Sequence, residues 1–74
     1  MVAAYPDYRR VLGRQVRRLR RGAKLSQEAL SQRCSMYRSY LSRIESGTAN
    51  PTLVVLLDLA RALDVPIREL FECP

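Results

Sequence analysis

Seventy-four residues carrying a net charge of +6 allow one small domain, and a chain this short buries only about 60% of the surface it exposes when unfolded. The absence of histidine removes His-based acid–base catalysis and argues against a zinc site. With no glycine-rich phosphate loop and no paired carboxylates at usable spacing, the chain is expected not to be an enzyme and to need no cofactor or metal. No apolar run approaches the ~20 residues of a membrane helix, and MVAAYPDYRR lacks the apolar core of a signal peptide, so no membrane contact and a cytoplasmic location are expected.

The charge is polarised along the chain. Residues 1–24 carry eight basic groups and one acid, residues 25–47 three and two, and residues 48–74 two and four. Twelve of the thirteen cations are arginine, whose planar fork matches phosphate and guanine edges where lysine cannot. A polyanionic partner, most simply nucleic acid, is one reading of this balance; a soluble basic surface is the other. Of the two cysteines, Cys34 reads as a small buried hydrophobe and Cys73 as a free exposed thiol.

In chain order, residues 1–7 read as a flexible N-terminal tail and residues 8–74 as the folded domain, with Pro6-Asp7 as a helix start signal. Leu12, Val16, Leu19 and Ala23 then recur along one face of a first helix, with Arg10, Arg14, Arg17, Arg18 and Arg21 on its back. A solvated face is the simpler reading of that back, and direct DNA contact the other. Arg20 lies on the flank of the apolar stripe and needs an anion, because an unpaired buried charge is costly. Ser26 caps a second helix over roughly 26–34, with Glu28 in its first turn and Leu25 as an apolar staple.

The very short Ser35-Met36 connection implies a steep crossing to a third helix, about 37–46, ended by Gly47. Its anchors are Leu41 and Ile44, with Tyr37 above them. Ser39, Ser42, Arg43 and Ser46 face the other way, with Arg38 at the N-terminal edge. Such a thin face lets the backbone approach another surface while guanidiniums reach past it, as a helix in the ~12 Å major groove must. Glu45 faces inward, so a semi-buried Arg20–Glu45 pair is expected. Turn chemistry through SGTANPT leads to Thr52 as the next cap. Leu53, Leu56, Leu57, Ala60 and Leu63 mark the inner face of a fourth helix, and Val65-Pro66 opens a fifth through Leu70 and Phe71. The fold class is all-α, a compact five-helix bundle.

The run LSQEALSQRCSMYRSYLSRIESGTANPTLVVLLDLARALDVPIRELF resembles the Xre/Cro-type helix-turn-helix repressors. The likeness covers about residues 8–71 and rests on Leu25-Ser26-Gln27, SYLSRIESG, Asn50-Pro51-Thr52 and the closing Leu70-Phe71. It implies a phage-repressor-like fold whose recognition helix is the third. Small members include controller proteins of restriction–modification systems, stand-alone repressors and antitoxins. Arg38, Ser39 and Arg43 match the base-reading positions, with Ser42 nearby. Gln27, Tyr40, Ser46, Thr48 and Asn50 match phosphate-contacting positions, and Arg20 and Glu45 match a structural ion pair.

Three features depart from the family pattern. Tyr37 stands where a short polar cap is usual, Ser35 where the turn usually has glycine, and Val54 and Val55 where polar residues are common. One recognition helix reads too few base pairs for useful specificity, and members usually dimerise over two half-sites about 34 Å apart. A homodimer on a palindromic double-stranded operator is therefore expected, with Val65, Ile67, Leu70 and Phe71 as interface candidates and no small-molecule substrate. The competing reading is an antitoxin-type module that covers a protein partner and binds DNA secondarily. Only three residues follow Phe71, too few for the tail such a module would use.

Overall fold

A computed structural model describes residues 7–72. The expected tail, Asp7 apart, and Cys73 lie outside the described residues. Four α-helices and one 3-10 turn follow in order: α1 (Tyr8–Gly22), α2 (Gln27–Arg33), α3 (Arg38–Glu45), α4 (Leu53–Ala62) and the turn Ile67–Leu70.

Each helix start has a local cause. The Asp7 carboxylate accepts from the Arg9 amide at the head of α1, and hydrogen bonding to Arg9 holds its carboxyl below the ordinary aspartate value. Ser26 accepts from the Ala29 amide before α2, and Thr52 from the Val55 amide before α4. The helix ends share one device: the residue after the cap turns left-handed, and the amide beyond it closes onto the last turn. Gly47 does this after α3 with φ 80°, and the Thr48 amide donates to the Arg43 carbonyl at 3.0 Å. Lys24, Ser35 and Asp64 adopt the same geometry with φ between 53° and 60°, where a Cβ is unfavourable.

Leu12, Val16, Leu30, Leu41, Ile44, Leu59 and Leu70 fill the core, closed by Ala49, Ala60 and Leu63. Gln15, on the inner side of α1, is buried; its Nε2 donates to the Glu69 carbonyl at 2.7 Å and ties the 3-10 turn to α1. Tyr8 and Phe71 meet edge to face, with ring centroids 6.2 Å apart, where the two ends of the domain come together.

Four expectations need correction. The fifth helix is a single 3-10 turn, closed by the Glu69 amide on Pro66 and the Phe71 amide on Arg68; Phe71 leaves helical backbone at φ -122°, which holds the element to the short length usual for 3-10 pieces. Ala23 is exposed as the C-cap of α1, one residue past its last full turn. In α4 the inner stripe runs through Leu56, Leu59, Ala60 and Leu63, leaving Leu53 and Leu57 exposed. Residues 53–57 are all apolar, so periodicity fits either face. Finally, Tyr37 is no anchor. It lies just outside α3 in extended backbone and is 84% exposed.

Candidate nucleic-acid interface

The third helix has the two-sided composition its sequence implies. Leu41 and Ile44 are buried in the core, and Arg38, Ser39 and Arg43 are exposed on the opposite side. Ser42 is half-buried between the two faces. Arg38 and Arg43 stand five residues apart, about 7.5 Å along the axis. That matches about two base-pair steps of a duplex.

What seats this helix is a close approach to α1. A Cβ on Gly13 would fall 2.5 Å from the Glu45 carbonyl oxygen and 2.6 Å from that of Ile44. Only a glycine lets the backbones meet so closely. Beside this contact, Glu45 collects donors from two other helices. Arg20 Nε and Nη2 bind its two oxygens at 2.6 and 3.0 Å, a two-point match of guanidinium to carboxylate. Arg20 Nη1 also donates to the Leu25 carbonyl at 2.9 Å. Gln27 Nε2 donates to Glu45 Oε1 at 3.1 Å, and Arg17 Nε approaches the same oxygen at 3.5 Å.

Arg20 and Glu45 are both almost fully buried, and among the described residues no buried side-chain polar atom lacks a partner. Burial pushes the Glu45 carboxyl up, but the hydrogen bonds from Arg20, Gln27 and Arg17 and the Arg20 charge outweigh it and hold the group below its ordinary value. The Glu45 hydrogen bond in turn raises Arg20. One carboxylate thus joins α1, α2 and α3.

The remaining positions singled out in the sequence cluster at the two ends of α3. Ser46, Thr48 and Asn50 lie in the loop after it, and all three are exposed. Ser46 Oγ donates to the Arg43 carbonyl at 3.0 Å, and the Ser46 and Thr48 hydroxyls lie 3.0 Å apart. Both hydroxyls therefore pin the end of the helix while remaining accessible. Tyr40 is half-buried and packs against the core. The Gln27 side-chain amide is engaged by Glu45, which leaves its backbone amide at the open first turn of α2.

Leu70 has no exposed surface and belongs to the core, so it is withdrawn from the interface candidates. Val65, Ile67 and Phe71 are half-buried against that core. The exposed apolar surface lies instead on α4, where Leu53 is 64%, Val54 66% and Leu57 43% exposed. Sequence periodicity places Leu53 and Leu57 inside, although the departure at Val54 points to this face. It also misses Tyr37, whose exposure follows from its place at the cap, before the helical direction is set.

Comparison with known proteins bears on this arrangement. The family described as Helix-turn-helix domain matches residues 11–72. The chain is 42% identical over 64 residues to the HTH-type transcriptional regulator y4dJ of Sinorhizobium fredii, covering 86% of this chain and 83% of that one. It is 35% identical to the control protein C.BamHI of Bacillus amyloliquefaciens, covering 89% and 83%. Among solved structures it is similar to the restriction–modification controller protein C.AhdI of Aeromonas hydrophila, with a TM-score of 0.84 and 43% identity over 90% of this chain and 100% of that one.

Proposed function

The chain belongs to the helix-turn-helix domain family, and from that premise we propose that it regulates transcription as a homodimer whose α3 reads the major groove of a palindromic operator. The observation that carries this is the outer side of α3. Two exposed guanidiniums stand on a helix whose other exposed residues there are small, and whose seat is fixed by Gly13 and Glu45. Arg38, Ser39 and Arg43 are the base-reading residues, with Ser42 at their margin; an arginine fork pairs with the O6 and N7 of guanine. Tyr37 joins them, because the N-terminal end of a recognition helix enters the groove first and its ring is free of any packing role.

Ser46, Thr48, Asn50 and Tyr40 hold phosphates on one side of the groove. Gln27 contributes through its backbone amide on the other. These contacts fix register and carry no sequence information.

Dimerisation proceeds through Leu53, Val54 and Leu57 of α4, with Val65, Ile67 and Phe71 at the margin. An exposed cluster of large apolar side chains at i, i+1 and i+4 is better covered than wetted, and a two-fold contact would double it across the axis. The protein acts in the cytoplasm, where its DNA is.

The experiment is selection of bound duplexes from a random pool. A recovered motif with two-fold symmetry and half-sites about one helical turn apart is the expected outcome. A pool that stays random after several rounds contradicts the reading.

A further inference from the structure

The outer face of α1 is the largest charge feature that this function leaves unused. Arg10, Arg14, Arg17 and Arg21 recur at i, i+4, i+7 and i+11 and form one narrow ridge opposite the core face of the helix. Arg18 stands beside them, and a surface trough is lined by Arg14, Arg17, Arg18 and Arg21. Like charges at this spacing repel one another. Among the described residues no carboxylate lies within salt-bridge distance of Arg10, Arg14, Arg18 or Arg21. Arg17 approaches Glu45 at 3.5 Å, but that carboxylate is already taken by Arg20 and Gln27.

The ridge is continuous with the phosphate-contacting positions at two points. Arg10 packs against Gly47, with its Cγ 3.1 Å and its Cα 3.3 Å from where a Gly47 Cβ would stand. Gly47 lies between Ser46 and Thr48. Arg17 shares the Glu45 carboxylate with Gln27. A duplex seated on α3 therefore brings its backbone to the side of the ridge held by Arg10 and Arg17, and Arg14 and Arg21 are turned further round the same helix, away from the Gly13 side that meets α3.

We propose that the arginine ridge of α1 is a second phosphate-binding surface that engages the DNA backbone beyond the half-site read by α3. This rests on the reading of α3 as the recognition helix. Charge complementarity and continuity with Gln27 and with the loop 46–50 favour DNA over an acidic protein surface as the occupant. Arg10 and Arg17 touch the backbone directly; Arg14 and Arg21 hold the flanking duplex.

The test measures affinity against salt for the duplex selected from a random pool, in one version with long flanks and one trimmed to the half-site ends. Arg10→Gln/Arg17→Gln is expected to lower the slope of log K on log salt by about 0.9 for each phosphate left without its arginine, leaving base preference unchanged. Arg14→Gln/Arg21→Gln touches neither Glu45 nor Gly47, so its folding is not in question. It should weaken binding to the long duplex and leave the trimmed one unaffected. If wild type selects a duplex and both variants keep its slope and affinity on both lengths, the ridge does not bind DNA. The same result with regulated transcription lost in cells assigns the ridge to an acidic protein partner and likewise overturns the proposal. A wild type that selects no duplex defeats the reading of α3 itself.

Discussion

Removing Arg20 tests how α3 is held. In Arg20→Ala the Glu45 carboxylate stays buried and loses two hydrogen bonds of 2.6 and 3.0 Å. Breaking a buried pair from one side costs about 3–5 kcal/mol. Gln27 at 3.1 Å and Arg17 at 3.5 Å remain on Glu45, which places the loss at the lower end, about 3 kcal/mol. A chain of 74 residues has only roughly 4–11 kcal/mol of stability in total. With an m-value of about 1 kcal/mol/M in urea, the midpoint should fall by about 3 M with m unchanged. Arg14→Ala is the control, since Arg14 is exposed and touches no carboxylate; it should stay within about 0.5 kcal/mol of wild type. The double variant Arg20→Met/Glu45→Leu should lose less than Arg20→Ala, because no charge is left buried alone. Equal midpoints for Arg20→Ala and Arg14→Ala would mean that the Arg20–Glu45 pair does not hold the helices together.

Other outcomes rest on the same structure. Gly13→Ala places a Cβ against two backbone carbonyls and should destabilise by about 1–3 kcal/mol in denaturant unfolding; an unchanged midpoint would mean the helices separate freely. The Glu45 carboxyl titrates lower folded than unfolded, so the unfolded chain binds the proton first and this stability is lost on acidification. In a pH series of thermal melts, the loss should begin near its ordinary value of 4.5 and be complete below the depressed folded value, and Glu45→Gln should flatten that limb. Tyr37→Ser supplies the missing cap of α3 and should stabilise the fold by about 1 kcal/mol while weakening the selected duplex; a gain in both would remove Tyr37 from the interface. If α4 forms the proposed dimer contact, Val54→Glu should give a monomer by light scattering where wild type gives a dimer, with the melting temperature nearly kept, since Val54 is 66% exposed.

The helix-turn-helix core is legible in the sequence because its signals are local. Asp7, Ser26 and Thr52 are capping residues read by type and position, and Gly47 marks the end of α3 through a conformation other residues avoid. Arg20 and Glu45 pair because each is an inward charge in need of the other, and the structure brings them together. The sequence is silent where several faces are equally apolar or where backbone direction changes. Residues 53–57 give no contrast, so periodicity passes over Leu59 and turns Leu53 and Leu57 inward. A helical wheel misplaces Tyr37 because that residue precedes the helix. The role of Gly13 is invisible because a close approach of two backbones leaves no periodic mark. Ser35 shows the converse: its left-handed φ of 53° is a conformation its residue type does not announce.

On the reading proposed for α3, Arg38, Ser39 and Arg43 distinguish one duplex from another. The most direct measurement is the ratio of affinities for the selected duplex and for mixed-sequence DNA at one fixed salt concentration, in wild type and in Arg43→Ala. With Arg43 reading a base, the expected loss is about 1–3 kcal/mol per half-site on the selected duplex, with preference relaxed at one base position and little change on mixed sequence. An equal loss on both duplexes would make Arg43 a phosphate contact and contradict the assignment of α3 as the helix that reads bases.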